Sequence, residues 1–285
     1  MRAAGVMMTS LPKITIVTPS YNQASFLEET IKSVILQEYP NLEYIILDGG
    51  SNDGSVEIIQ KYAEHLTYWQ SAKDNGQADA IARGFSMATG DIIAWLNSDD
   101  VLLPNALEKV GAYFAGHPEE ECVVGGCLHI DEAGHVIQNR DRLPTFTYGV
   151  RVTFDKLLFC GCGFNQPASF WKRSAFESAG GIDTSMRFCF DYDMFFRLAR
   201  RRPFGVIKDF LACFRIHGES KTSTLQDVCA TENERLWLKY GRDKVPAVQR
   251  NVLHFCYYWQ HMILNRYYLT MVMLGRLKLP LRSSQ

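Results

Sequence analysis

The chain has 285 residues, 47% of them hydrophobic, which is enough to bury the core of one large domain with an appendage and excludes a disordered chain. Its 30 Lys and Arg balance 31 Asp and Glu, so no global charge points to nucleic acid or to electrostatic capture of an acidic partner. The balance is local: from Arg235 to Gln285 nine basic residues stand against one acidic, Asp243, which sets a basic, aromatic tail against an acidic body.

Met1 to Pro12 carries one Arg and no apolar core of signal-peptide length, so secretion is not expected. Ile14 to Thr18 is a β-branched run ended by Pro19, and Phe26 to Leu36 has apolar residues at helical spacing, which predicts strand, loop and helix. Tyr44 to Leu47 repeats the strand signal, Gly49 and Gly50 turn the chain, and Ser55 to Ala63 reads as the next helix. Ala78 to Met87 is helical, Asp91 to Leu96 is a third strand, and Pro104 to Phe114 reads as a helix opened by Pro. Cys122 to Ile130, a turn at Asp131 to Gly134 and Val136 to Gln138 suggest a hairpin added to the sheet. Asp191 to Arg200 is a helix, Val206–Ile207 and Leu211–Arg215 are short strands, and beyond Thr231 only helices are expected.

Strands alternating with helices imply an α/β fold whose sheet is mainly parallel and covered on both faces. The eight cysteines are scattered, and their one close pair, Cys160 and Cys162, is C-x-C; with Cys189 they read as packing thiols, reduced, in a cytoplasmic protein. No apolar run approaches the ~20 residues of a membrane span; Val252 to Leu264 is broken by His254, Gln260 and His261. The tail keeps an apolar stripe at helical spacing from Val248 to Leu274, which suits packing on the domain, a second subunit, or an anionic leaflet met by Arg250, Arg266, Arg276 and Lys278.

Ligands of such sheets sit beyond the carboxyl ends of the strands, here at Thr18 to Asn22, Asp48 to Gly54 and Asn97 to Asp100. Clustered carboxylates are costly without a cation, so a divalent metal is the natural occupant, with Asp99 and Asp100 as its ligands. The alternative for that pair is capping of the helix near Pro104.

Three segments, TPSYNQASFLEETIKSVILQEYPNLEYIILDGGSNDGS, DNGQADAIARGFSMATGDIIAWLNSDD and FDYDMFFRLARR, resemble the family-2 glycosyltransferases over residues 13 to 220. The resemblance implies the GT-A nucleotide-sugar-binding fold at 13–220, after a tail at 1–12 and before a helical extension at 221–285. It implies donor contacts from Pro19, Tyr21, Asn22, Asp48, Asp74, Gly76, Gln77, Asp79, Asn97 and Asp99, and a metal, Mn²⁺ or Mg²⁺, held by Asp99, Asp100 and His217. Asp191 takes the place of the general base, and Gln166 and Asp193 that of acceptor contacts. Each has a plainer reading: turn chemistry for Pro19 and Asn22, dipole stabilisation for Asp79, a helix cap for Asp191 and a structural role for His217.

The implied reaction is inverting transfer from a nucleotide-sugar, with a UDP-sugar favoured, to a glycan or lipid-linked acceptor in surface polysaccharide or O-antigen assembly. Cytoplasmic placement, peripheral contact with the membrane through the tail and a homo-oligomer belong to the same expectation. Gly49, Ala82, Asn97 and Phe190 depart from the commonest family residues, so the rival is a non-catalytic nucleotide-sugar-binding module on the same fold. The motifs G-x-G-x-x-G and G-x-x-x-x-G-K-[ST] are absent, which argues against dinucleotide-dependent oxidoreductases and phosphate-loop NTPases. The first strand also lacks the Gly-rich basic loop expected of a sugar nucleotidyltransferase.

Overall fold

The computed structural model describes residues 11–138, 146–147 and 151–273; the expectations for Met1 to Ser10 and for the tail from Leu274 on lie outside them. In chain order the described residues form β1 (Ile14–Ser20), α1 (Ala24–Ile35), β2 (Leu42–Asp48), α2 (Ser55–Lys61), β3 (Tyr68–Ser71), α3 (Gln77–Met87) and β4 (Ile92–Trp95). They continue with β5 (Val101–Leu102), α4 (Ala106–Gly116), β6 (Cys122–Ile130), β7 (Phe146–Thr147), α5 (Phe154–Cys160), β8 (Ser169–Lys172) and α6 (Arg173–Ser178). Then come α7 (Phe190–Arg201), β9 (Gly205–Arg215), α8 (Lys221–Thr224), α9 (Gln226–Lys239) and α10 (Ala247–Met273).

The strands form one sheet in the order β3-β2-β1-β4-β8-β6-β9-β5, with β7 on β6. Its first four strands are parallel. Beyond them β8 runs antiparallel to both β4 and β6, while β9 returns parallel to β6. Strands β1, β2 and β4 are buried along nearly their whole length because both faces are covered. Val17, Ile45, Ile93 and Trp95 enter the core on one face, while Ile16, Tyr44, Ile46 and Ala94 enter the core on the other.

Helices α1 and α4 contribute Leu27, Ile31, Leu107 and Val110 to the second core. Helices α3, α5 and α7 contribute Ile81, Leu157 and Phe195 to the first, which also takes in Leu236 of α9 and Tyr240 just after it. The chain beyond residue 220 is therefore partly core and not a detached appendage. Leu253 and Tyr257 of α10 pack against the same cluster.

Two local expectations change, and a third is met. The two short strands at 206–215 are one strand, β9, bent by irregular pairing with β6 near Gly126. The helix placed at Pro104 begins at Ala106, after Asn105 with φ of 62°. The expected hairpin is present: the chain turns at Asp131 to Gly134 and comes back to β6 through an antiparallel bridge from Ile130 to Val136, with Ile137 N–H donating to the His129 carbonyl. Strand β3 carried no sequence signal.

Gly84 of α3 packs directly on β1: a Cβ there would lie 2.9 Å from Val17 Cγ2 and closer still to Cγ1, and Val17 is fully buried. Gly84→Ala gains about 1 kcal/mol of helix propensity and forces overpacking worth ~1–3 kcal/mol. Urea unfolding should show a lower midpoint with an unchanged slope; a higher midpoint would mean the helix-to-sheet contact yields.

Candidate active site

Strands β1, β2 and β4 are parallel neighbours, so the loops that leave their carboxyl ends gather along one edge of the sheet, where a ligand cleft is expected. Pro19 lies within β1, buried, in register with Leu47 and beyond the last β4 pairing at Val17, so its missing N–H breaks no ladder bond to β4. Tyr21 follows it, 62% exposed. Asn22 takes φ of 50° and its Oδ1 accepts from Asn52 N–H, while its own N–H donates to Ser51 Oγ at 2.8 Å. These bonds clip the first loop to the second.

Asp48 is buried, and its carboxylate accepts from Gly50 N–H, Ser51 N–H and the Ser51 and Ser71 hydroxyls. Expected as a donor contact, it spends its acceptors shaping the turn. The next position is tight: a Cβ on Gly49 would lie 3.2 Å from both Asp74 Oδ2 and Tyr21 Cδ2, close enough to shift either side chain by a few tenths of an ångström. Gly49 thus admits Asp74 to the cleft, where a second acid in its place would press on that carboxylate.

Asp74 accepts from Gly76 N–H at 2.8 Å, and Asp79 accepts from Asn75 N–H at 3.3 Å, closing the loop that leads into α3. Gly76 holds φ of 105° and ψ of 179°, a conformation that favours glycine, with open space where a Cβ would be. Gln77, the first residue of α3, donates to Asn97 Oδ1 at 2.7 Å, so the N-terminus of α3 abuts the loop after β4.

The two acids of that loop part company. Asp99 stays partly exposed, and its Oδ2 lies 3.0 Å from His217 Nε2, whose ring packs 4.6 Å from that of Phe26. Asp100 is fully buried, one oxygen accepting from Arg215 N–H at 3.0 Å and the other from Asn97 Nδ2 at 3.2 Å. Burial, then the neighbouring Asp99, push its pKa well up. Expected as a metal ligand, Asp100 is a support with no oxygen facing the cleft.

Arg215, at the end of β9, is the residue that arranges this corner. Its guanidinium, 1% exposed, donates to the carbonyls of Asp99, Asp131 and Glu132 and to Glu29 Oε2 at 2.8 Å. Thr30 of α1 adds hydroxyl bonds to the carbonyls of Ser98 and Asp100. Among the described residues no three His, Cys, Asp or Glu side chains gather into a metal centre. A carboxylate and an imidazole in contact fit a hard ion only if a diphosphate supplies most of its remaining ligands.

The opposite wall begins at α7. Its N-cap is Cys189, not Asp191, and the cap is served from α9: Glu232 accepts from the N–H groups of Arg187, Phe188 and Cys189 at 2.8–3.0 Å. Burial opposes ionisation of Glu232, but these three donors hold its pKa below the ordinary value. Phe190, the departure from the family's acid, is buried with its ring 6.0 Å from Trp95 at the end of β4, which ties the start of α7 to the sheet edge.

Asp191 is half-buried and accepts only from backbone N–H groups of its own turn, that of Tyr192 at 2.7 Å. Burial pushes its pKa up to about 6. The Lys221 ammonium is within electrostatic reach of both Asp191 and Asp74. Asp193 is buried and fully engaged, with Arg197 at 2.9 Å, Lys239 at 2.7 Å and Tyr240 Oη at 2.7 Å. Expected as an acceptor contact, it fastens α9 to α7. Gln166 donates to the Trp95 carbonyl, and its buried Oε1 has no protein partner.

Sequence reasoning missed Arg215 and Glu232. A lone Arg closing the apolar run Phe210 to Cys213 was a signal for a buried charge; Glu232, in a polar stretch of helix, offered none.

The fold is that of the GT-A glycosyltransferases. Among solved structures the chain is similar to the S. aureus protein TarS, residues 1–349, in complex with UDP-GlcNAc (TM-score 0.61, 14% identity, 85% of this chain and 70% of that one). It is also similar to a mannosyltransferase from Pyrobaculum calidifontis in complex with GDP-Man and Mn²⁺ (TM-score 0.53, 20% identity, 73% and 58%). The sequence model of glycosyl transferase family 2 matches residues 15–178, and the chain belongs to that family. Curated relatives include an uncharacterized glycosyltransferase of Rickettsia typhi, 25% identical over 80% of this chain and 71% of its own length. Another, from Rickettsia conorii, is 26% identical over 75% of this chain, which spans only 36% of that relative.

Glu232→Ala removes the acceptor of three N–H groups at the start of α7. The loss should be ~1.5–3 kcal/mol, as for hydrogen bonds to a charged group, with faster amide exchange at 187–191. Unchanged exchange there would show that Phe190 packing alone holds the turn.

Proposed function

We propose that this glycosyltransferase moves a sugar from a nucleotide-sugar to an acceptor hydroxyl by a single displacement with inversion, Asp191 serving as general base. The observation that carries the reading is a half-buried carboxylate whose pKa burial pushes up to about 6, at the start of a helix that Phe190 ties to Trp95 at the end of β4. The acceptor oxygen bonds to the anomeric carbon, the bond to the diphosphate breaks, and the hydroxyl proton passes to Asp191. Tyr21, Asn22, Asp74, Gly76, Gln77, Asp79 and Asn97 border the donor; Pro19 and Asp48 hold the loops that do so.

Asp99 and His217 would hold a divalent ion, Mn²⁺ or Mg²⁺, against the diphosphate, and its chemistry would be neutralisation of charge on the leaving group. The UDP-GlcNAc and GDP-Man bound by the two structural neighbours support a nucleoside diphosphate sugar as donor, and of the two we propose a UDP-sugar. We assign residues 13–220 the catalytic role and a glycan or lipid-linked acceptor in surface polysaccharide assembly. No described helix is long and apolar enough to cross a membrane. The exposed Val252, Phe255, Trp259 and Ile263 of α10, a helix without acidic residues, support peripheral contact with an anionic leaflet from the cytoplasmic side.

The base must be ionised to accept a proton, so transfer should fall as pH drops through about 6, with the slope of one proton. Asp191→Asn should lower the transfer rate ~10²- to 10⁴-fold. Because the native carboxylate has its pKa raised from 3.8 to about 6, stability is lost as pH rises between those values and stays lost above them, so the same variant should melt higher at neutral pH. Parental transfer rates in Asp191→Asn would overturn the assignment.

Titration of UDP and GDP with and without Mn²⁺ tests the other wall. His217→Ala and Asp99→Ala should each lose most of the Mn²⁺ enhancement of diphosphate affinity. An enhancement kept in both would remove these residues from the metal.

A further inference from the structure

A second cavity, of about 170 Å³, lies between α5 with the Gly161–Gly163 loop and the long helix α10; Lys156, Gly161, Cys162, His254, Tyr257 and Tyr258 are among its walls. We propose that this cavity is the acceptor subsite and holds the single sugar ring whose hydroxyl is glycosylated. The proposal rests on the assignment of Asp191 as base and goes beyond it in saying where the acceptor binds and what it is.

Position is the first argument. A Cβ on Gly161 would lie 4.0 Å from Tyr192 Oη, and Cys162 is within electrostatic reach of Asp191. The loop that walls the cavity therefore backs onto the first turn of α7, where the proton acceptor sits. The Tyr192 hydroxyl donates to the Leu157 carbonyl of α5, which fixes the cavity wall to the residue after Asp191. By contrast, Asp193 is buried in its own ion pairs, so it offers an acceptor little to bind.

Chemistry is the second. Two tyrosines supply aromatic faces suited to the C–H face of a pyranose, and Lys156 and Gln260 supply donors at the rim. His254 Nδ1 lies 2.9 Å from the Phe159 carbonyl. A carbonyl only accepts, so Nδ1 carries the hydrogen, which leaves Nε2 of the neutral ring as an acceptor on a residue lining the cavity. Size is the third: the volume falls below the several hundred Å³ of drug-sized pockets, which suits one ring and not an extended glycan.

The same construction explains why α10 is clamped to the body at this point. His254 anchors it to α5, and Lys156 lies 5.9 Å from the Tyr257 ring centre, so the helix completes a wall that α5 alone leaves open.

Saturation-transfer NMR with methyl and octyl glycosides of glucose, galactose, mannose and N-acetylglucosamine tests the assignment on the full chain. At least one methyl glycoside should bind the parent, and Tyr258→Ala and Lys156→Ala should each weaken it at least 10-fold. UDP and GDP affinity should stay within twofold in both variants. Binding of octyl glycosides alone would make the cavity a site for an alkyl chain and overturn the proposal. No methyl glycoside on the parent, or equal binding to the variants, would overturn it as well. Failure of the base assignment reads out separately, as parental turnover in Asp191→Asn whatever the glycosides do.

Discussion

A guanidinium buried at the end of β9 is the constraint on which the cleft depends. Arg215 must satisfy its donors without water, and it does so with one carboxylate on α1 and three backbone carbonyls from two loops. Removing a partner from a buried ion pair typically costs ~3–5 kcal/mol, so the loop after β4 is held tightly in the one arrangement that feeds this charge. Two consequences follow from that arrangement. Asp100 turns inward to accept the Arg215 N–H, which leaves Asp99 turned toward the cleft. His217, two residues beyond the arginine, is delivered to the Asp99 carboxylate.

The opposite wall is built on the same logic with the sign reversed. There a buried carboxylate, Glu232, answers three N–H groups that the start of α7 would otherwise leave unpaired. Capping from a distant helix frees Asp191 from that duty. Its carboxyl can then be half-buried, weakly bonded and raised toward neutrality, the state a base needs and a cap does not. Phe190 on Trp95 sets the distance between the walls with packing alone, and an acid at 190 would have to be buried against an indole to do the same. The departures at Gly49 and Phe190 thus have structural reasons, space for Asp74 in one case and a packed joint in the other.

Much of the parallel half of the fold was legible because its signals are local. Runs such as Ile14 to Thr18 and Tyr44 to Leu47 are apolar on both faces and end in Pro, Gly or Asn, and the loops beyond them carry the motifs. Strand β3, Tyr68–Ser71, has neither alternation nor an apolar run and exists by pairing with β2. Strand β9 looked broken at Lys208 and Asp209 because a surface interval in a long strand mimics a loop. In the site, adjacency misled: Asp99 and Asp100 are neighbours in sequence and face opposite ways, and Asp193 reads as functional only until its three partners are known. Local bonds from Asn97 and Arg197 help, but Arg215, Lys239 and Tyr240 lie more than forty positions from the acids they hold, and a sequence shows no such pairing.

The most direct test is calorimetric titration of UDP and GDP, with Mn²⁺, into Arg215→Lys beside the parent. Lysine keeps the charge but cannot reach one carboxylate and three carbonyls at once. If the guanidinium holds Asp99 and His217 in place, the variant should remain folded by far-UV circular dichroism and lose at least 10-fold in diphosphate affinity. A folded Arg215→Lys protein that binds the nucleotide as tightly as the parent would contradict the account.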